Sequence, residues 1–407
     1  MKRHRGLKIL LVCLIIALIL TAASAILLVF AGVKPDGDLK SIKQQAGRVI
    51  ERNFGTGVKE IPDAEKGYFY SRLDGTGRQI YHAIYQGIAA DRTEIEVPGN
   101  DLKLIEEVWQ YIMADHPEFF WLTGGVKTVC EKPPLGQSYS MVSPEWTCSA
   151  SEVDKRRAEV EKAVSGYLEK QDKNAGEYDR IKAAYDYIID TTDYDDDDPD
   201  DQNIYSVFAR KRSVCAGYSK AFQYLLKRQG ISCLYVSGIN EKKKEAHAWN
   251  IVQCGGRYYQ VDVTWGDPVY SNAEDQLPKE KRIKSYDYLC CTDAEIKKTH
   301  TIDETLPVPA CEYDDLNYYR NSGQYYDSYN RDQCQQVIYD DVDHQRSVSI
   351  FKFADHDLYD QAHKELCGDL LQEGARRILA NKGMNRVYNY YQEEPDLNKV
   401  VIYWQYQ

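Results

Sequence analysis

Ala246-His247-Ala248-Trp249-Asn250-Ile251-Val252 is followed by Cys254-Gly255-Gly256-Arg257 and then by Tyr258-Tyr259-Gln260-Val261-Asp262-Val263-Thr264-Trp265. Two runs rich in β-branched and aromatic residues, parted by a pair of glycines, read as a β-hairpin. The position of the turn decides which side chains meet. With Gly255-Gly256 as the two-residue turn, Asp262 lies opposite Trp249, and His247 is its diagonal neighbour on the same face. With Cys254-Gly255 as the turn, His247 and Asp262 face each other directly. Either register brings an imidazole and a carboxylate within reach, whereas a three-residue turn would send them to opposite faces.

Upstream, Ser213-Val214-Cys215-Ala216-Gly217-Tyr218-Ser219-Lys220-Ala221-Phe222-Gln223-Tyr224-Leu225-Leu226-Lys227-Arg228-Gln229-Gly230 reads as a helix. Tyr218, Ala221, Phe222, Leu225 and Leu226 share one face, and Gly230 is the natural stop. Ser213 is the expected N-cap, which places Cys215 in the first turn. There the unsatisfied N–H groups and the positive end of the helix dipole favour a thiolate. A lone cysteine is more often an inert buried residue. A strand histidine paired with a strand aspartate shifts the balance, because the three groups together are the parts of a thiol acyl-transfer site. In such a site Cys215 is the nucleophile, His247 takes its proton and later protonates the leaving amine, and Asp262 fixes the histidine tautomer. N–H groups at the helix start stabilise the oxyanion. Tyr205 is the candidate for a second oxyanion donor, with packing as its other role.

Ser-Val-Cys-Ala-Gly-Tyr-Ser at 213–219, His-Ala-Trp-Asn at 247–250 and Asp-Val-Thr-Trp-Gly-Asp-Pro at 262–268 resemble the three sequence blocks of bacterial transglutaminase-like domains, in order and at suitable spacing. Tyr286-Asp287-Tyr288-Leu289, Thr292-Asp293 and His300 resemble the end of such a domain. The resemblance covers residues 180–300 or so. It implies an α+β fold with a papain-like transglutaminase core, in which a cysteine at a helix N-terminus packs on an antiparallel sheet carrying the histidine and the aspartate. It carries the nucleophile, base and orienting acid onto Cys215, His247 and Asp262. Ala216 stands where many relatives have a longer polar residue, which bears on the cleft rim. Proteins of this fold include transglutaminases, peptidases and deglycosylating amidases, so the resemblance leaves amide exchange and hydrolysis both open. The other class of reading is a non-catalytic surface protein that uses the fold for cell-wall binding or assembly.

Composition bounds where such a site works. A chain of 407 residues predicts two or three folded units, and 43% hydrophobic with 28% charged residues is globular. A net charge of -12 argues against nucleic acid as a partner. The expected partner is a protein, peptide or cell-wall peptide substrate. Lys2, Arg3, Arg5 and Lys8 precede an uncharged apolar run at 9–33, which is long enough to span a bilayer. The basic flank predicts a single-pass anchor in the cell membrane, with everything after Lys34 extracytoplasmic. A cleaved signal peptide is the rival, with Ala23-Ser24-Ala25 as its cleavage site, but Ile26-Leu27-Leu28-Val29-Phe30 carries the apolar run past that point.

Of eleven cysteines, Cys13 falls in the apolar run and Cys215 is the working thiol, which leaves an odd number for pairing. Cys130 and Cys148, flanking a Pro- and Ser-containing loop, form the one bridge the sequence suggests. A zinc site from Cys215, Cys233, Cys254 and His247 lacks Cys-x-x-Cys spacing. The acidic run at 195–201 lacks the spaced ligands of a calcium loop and reads as a solvated loop. Neither a metal nor a cofactor is expected. Trp249, Trp265, Tyr258 and Tyr259 suit either a substrate groove or a sheet core.

The resulting organisation is an anchor at 1–33, a linker at 34–61, an N-terminal α/β flanking domain rich in helix at 62–150, a transglutaminase-like catalytic domain at 151–310, and a small C-terminal α+β domain at 311–407. In the last of these, residues 348–353 and 400–406 read as strands and 359–380 as helix.

Overall fold

The computed structural model describes residues 61–62, 66–132, 137–197, 201–267, 283–382 and 388–406, with positions 25 and 42. The expected anchor and linker thus fall almost wholly outside the described residues. Among those described, no helix is long and apolar enough to cross a membrane. The chain divides into two compact units, Met1–Ala158 and Glu159–Gln407.

In the first unit, helix α1 (Gly75–Ala89) buries Ile80, Ile84 and Ile88, an apolar stripe at four-residue spacing. Asp74 caps it by accepting from the Gly77 N–H at 2.7 Å. Helix α2 (Leu102–Asp115) is capped by Asp101 and buries Ile105, Val108, Trp109 and Ile112. Strands β1 (Ile95–Pro98), β2 (Leu122–Glu131) and β3 (Tyr139–Trp146) form an antiparallel sheet in the order β1-β3-β2. Cys130 and Cys148 are not bridged. The β2–β3 register sets Cys130 opposite Ser140, and Cys148 lies well down the chain from there. At a strand's rise per residue the stretch from Ser140 to Trp146 alone spans roughly 20 Å, whereas a disulfide needs Cα atoms within about 7 Å.

Helix α3 (Ala150–Leu168) begins in the first unit and ends in the second, where it leads into α4 (Glu177–Thr191), which buries Ile181, Ala184, Tyr185 and Ile188 and packs on α5 (Cys215–Arg228). Helix α5 lies on β4 (Cys233–Asn240) and β5 (Glu245–Cys254). These strands join β6 (Arg257–Val261), β7 (Leu289–Cys291) and β8 (His300–Ile302) in a five-stranded antiparallel sheet, order β8-β4-β5-β6-β7. A helix packed on an antiparallel sheet makes this an α+β fold. Central strand β5 is buried continuously from His247 to Val252, which explains why it reads as a nearly unbroken apolar run. Cys254 pairs with Arg257 and Asn250 with Val261. The turn is therefore Gly255-Gly256, at φ 58° and 77°, and both values lie in the left-handed region that a type I′ turn requires.

The N-cap of α5 is Val214 rather than Ser213, and no side chain caps it. Ser213 is drawn into a short parallel pairing with Tyr194. Its hydroxyl donates to the Asp201 carbonyl at 2.6 Å and sits 2.7 Å from Ser206 Oγ. Gly217 lets this loop close on the helix: a Cβ there would stand 1.9 Å from Ser213 Oγ and 2.8 Å from the Asp201 carbonyl oxygen. Gly217→Ala is expected to destabilise the unit by about 1–3 kcal/mol, the range for overpacking. Urea unfolding checks this, and a change under about 0.5 kcal/mol would show that the loop yields.

The C-terminal part of the second unit is a sheet of β9 (Tyr325–Tyr326), β10 (Val348–Phe353), β11 (Tyr388–Glu394) and β12 (Lys399–Gln405), order β9-β10-β12-β11. Helices α6 (Arg331–Asp343), α7 (His356–Glu365) and α8 (Leu371–Lys382) pack with it around Ile338, Phe351, Leu366, Ile402 and Trp404. A π-helical stretch, Leu366–Leu370, joins α7 to α8. The alternate residues of β12, Lys399, Val401 and Tyr403, are also buried. They belong to the other face of the sheet, where Lys399 meets Asp287. Helix α6 and strand β11 escape the sequence reading because α6 buries few apolar side chains and β11 carries no aliphatic side chain and buries none fully.

Candidate active site

Cys215 is the first residue of α5 and is half-buried. The first helical hydrogen bond is Tyr218 N–H to the Val214 carbonyl, so the N–H groups of Cys215, Ala216 and Gly217 have no partner within the helix. His247, 4% exposed, shares a hydrogen bond with Cys215. Its Nε2 donates to Asp262 Oδ2 at 2.7 Å. Asp262 follows β6 in the Gly255-Gly256 register, on the face that carries Trp249 and His247. It also caps the turn Val263–Gly266, its Oδ1 accepting from Trp265 N–H at 3.0 Å. The fold thus gathers Cys215, His247 and Asp262 at one place.

Charge and burial compete here. Burial pushes the His247 imidazole down, but the Asp262 carboxylate outweighs it, and hydrogen bonds with Asp262 and Cys215 add to that effect; the result is a value pushed up to about 10. Burial raises Asp262, yet the charge and hydrogen bond of His247, with help from His300, hold it well below the usual carboxylate range. The rings of Trp249 and Trp265 lie 6.0 and 6.5 Å from that of His247, and they keep water from the pair. Trp249 and Tyr259 are sheet core at 0% and 1% exposure, and Trp265 is buried beside the site.

His300 is a side chain whose place the sequence did not show. Its Nε2 lies 3.1 Å from the same Asp262 Oδ2, and it is 1% exposed. It reaches the site on β8, an edge strand paired with β4, and nothing in its local sequence announces that approach. Lys220 was missed as well. Its amine donates to the Gln202 carbonyl at 3.1 Å, and burial pushes it down to about 8 against the opposing pull of the Cys215 charge. Tyr205 is not an oxyanion donor: its hydroxyl is committed to Glu159 Oε2 at 2.7 Å.

Among the described residues, Cys215, Cys233, Cys254 and His247 do not form a metal-sized group. Two other sets lie close enough to share an ion, His247 with Asp262 and His300, and Asp195 with Asp196 and Asp197. In the first set, both imidazole Nε2 atoms are already spent on the carboxylate. In the second, Asp195 pairs with Arg212 at 3.2 Å and accepts from the Asp197 N–H, and Asp196 and Asp197 face solvent.

A helix-borne cysteine against a sheet-borne His–Asp pair defines a class, and comparison names it: residues 162–263 match the transglutaminase-like superfamily. The chain carries a domain of that superfamily. Among solved structures it is similar to a TGase (15% identity, TM-score 0.25, covering 42% of this chain and 50% of that one). A Cytophaga hutchinsonii protein put forward as a cysteine protease is similar at 13% identity and TM-score 0.25, covering 36% and 65%. The periplasmic domain of TgpA from Pseudomonas aeruginosa, bound to ethylmercury, follows at 17% identity and TM-score 0.16, covering 34% and 65%. The chain thus spans 50% to 65% of the length of these structures. No curated protein matches it.

Proposed function

We propose that the protein is a cysteine acyl-transfer enzyme that opens a carboxamide or peptide bond through a thioester on Cys215, at the outer face of a cell membrane. The observation that carries this reading is that His247 is hydrogen-bonded both to Cys215 at the start of α5 and, through Nε2 at 2.7 Å, to Asp262. Cys215 Sγ attacks the carbonyl carbon, its proton already held on His247. The oxyanion takes hydrogen bonds from the free N–H groups at the start of α5. Collapse breaks the C–N bond, and the departing amine leaves with the proton from His247. An incoming amine or water then attacks the thioester and gives its proton to His247 as the sulfur leaves, which restores the starting Cys215–His247 pair. The apolar run at 9–33 supports the location, and the chain's negative charge favours a protein, peptide or cell-wall peptide substrate.

Glutamine-containing peptides incubated with an amine dye, read by mass spectrometry, are expected to gain either the dye or a hydrolytic product, and to do so only with Cys215 intact. Absence of Cys215-dependent turnover across a broad peptide and wall-fragment panel would favour a binding module. The pH profile carries its own expectation. His247 is held protonated above its ordinary value, so it serves as general acid until pH rises through about 10, and the basic limb of kcat/KM is expected there. By the same linkage, its contribution to stability is complete below about pH 6.5 and is lost as pH climbs through its folded value. A basic limb near neutrality would contradict the His247–Asp262 coupling.

A further inference from the structure

We propose that His300 is a positioning residue for the Cys215 chemistry: backed by Thr299 and Tyr288, it holds Asp262 Oδ2 from a second direction so that the carboxylate keeps one orientation toward His247. The inference rests on the functional reading above. It starts from hydrogen-bond direction. A carboxylate only accepts, so the 3.1 Å contact requires His300 to present Nε2–H to Asp262. Its Nδ1 lies 2.8 Å from Thr299 Oγ1 and accepts from that hydroxyl. Thr299 Oγ1 in turn lies 2.5 Å from the Tyr288 hydroxyl, which donates to it. One continuous run of donors, Tyr288 to Thr299 to His300 to Asp262, places every hydrogen without conflict and fixes the His300 tautomer.

A packing role does not require this arrangement. The ring is 1% exposed amid aromatic neighbours, with the centroids of Trp265, Trp249 and Tyr288 at 5.0, 5.1 and 5.2 Å. A phenylalanine would fill such a space without the cost of burying two polar nitrogens. What the imidazole adds is a second N–H on Oδ2. With Trp265 N–H on Oδ1, Asp262 has three donors, two on one oxygen and one on the other, and no freedom to turn. Remove His300 and the carboxylate can rotate about its last bond, so the His247 tautomer is no longer dictated. The remaining titratable groups that sense Asp262 are His247 on β5, Tyr185 on α4, Tyr194 before the acidic loop and Tyr288 beside β7. All three phenols are raised by burial and stay protonated through the range tested.

The test uses the full chain and needs no substrate: iodoacetamide alkylation of each cysteine, followed by mass spectrometry from pH 4 to 9, with thermal melts to confirm folding. His300→Phe is expected to slow Cys215 alkylation at neutral pH by about tenfold to a hundredfold, the equivalent of losing one hydrogen bond to a charged group. It should also move the acid limb to higher pH, because Asp262 loses a donor that helps keep it ionised. His300→Gln, which retains a side-chain N–H, should restore most of the rate, and Thr299→Val should reproduce part of the shift without touching Asp262. If folded His300→Phe keeps its rate within about twofold and its acid limb unmoved, His300 is only packing. Should His300→Phe fail to fold, an unmoved limb in Thr299→Val has the same meaning. The reading it rests on fails differently: wild-type Cys215 would react no faster than half-exposed Cys130, and His247→Ala would change nothing.

Discussion

Asp262→Asn is expected to lower amide turnover by on the order of 10⁴-fold, the loss that this change causes in the Ser-His-Asp template, while the fold survives. The magnitude follows from counting donors. Asp262 is 0% exposed and receives N–H groups from His247, His300 and Trp265. Asparagine offers one accepting oxygen and one donating NH2. With its oxygen toward the histidines, its NH2 meets the Trp265 N–H, and the cap of the following turn is lost. With its oxygen toward Trp265, the NH2 faces two imidazole Nε2 atoms and turns them into acceptors. His247 then carries its proton on Nδ1, pointed at Cys215, and cannot take the thiol proton. The charge is lost in either orientation. Without it, burial alone acts on His247, and the basic limb of kcat/KM should fall from about 10 to near or below the ordinary histidine value of about 6.5. A pH–rate series on both proteins decides the matter. An unchanged basic limb in the variant would show that something other than Asp262 holds the His247 proton.

The hairpin was legible because strand parity is a two-valued property: once the glycine pair is placed, the faces of His247, Trp249 and Asp262 follow. Cys215 at the start of a helix was legible from the apolar spacing of Tyr218, Phe222 and Leu225. The cap was not, because Ser213 has a better offer from the Asp201 carbonyl and Ser206 than from the helix N–H groups, and that loop is distant in any one-dimensional pattern. His300 was hidden for the same reason. It stands 38 residues from Asp262, and its approach depends on an edge-strand pairing with Asn240 that no periodicity encodes. Cys130 and Cys148 misled because proximity across a loop in sequence says nothing about register along the strands that flank it.

Lys399→Met is expected to destabilise the second unit by about 3–5 kcal/mol, the penalty for stripping one partner from a buried ion pair. Lys399 is 3% exposed and bonds Asp287 Oδ2 closely, with Glu394 Oε2 at 3.2 Å. Lys352, equally buried, lies 3.7 Å from the other Asp287 oxygen. Two cations and two carboxylates balance, so removing Lys399 leaves a net negative charge around the buried Asp287. The sign of the pH dependence is fixed. Burial raises Asp287, but Lys399 and then Lys352 hold it below the usual range. Its contribution is therefore present above about pH 4 and fades as pH falls through its folded value. The Lys399→Met penalty should be largest near neutrality and shrink in acid, where Asp287 takes a proton instead. Lys399→Met with Glu394→Gln leaves Lys352 facing Asp287 alone and should recover about half the loss. Urea titrations at pH 7 and pH 4.5 separate these outcomes, and a penalty independent of pH would mean that lost packing, not charge, explains it. The pair also bears on the site. Asp287 immediately precedes Tyr288, whose hydroxyl meets Thr299, so the charge brought from β12 lies one residue from the Tyr288–Thr299–His300 run. A chain ending at residue 310 loses Lys352 and Lys399 together and leaves Asp287 without a counter-charge. It is expected to lose Cys215 reactivity along with its fold. A truncated protein that folds and alkylates at the full rate would make the C-terminal sheet an appendage rather than a wall of the active unit.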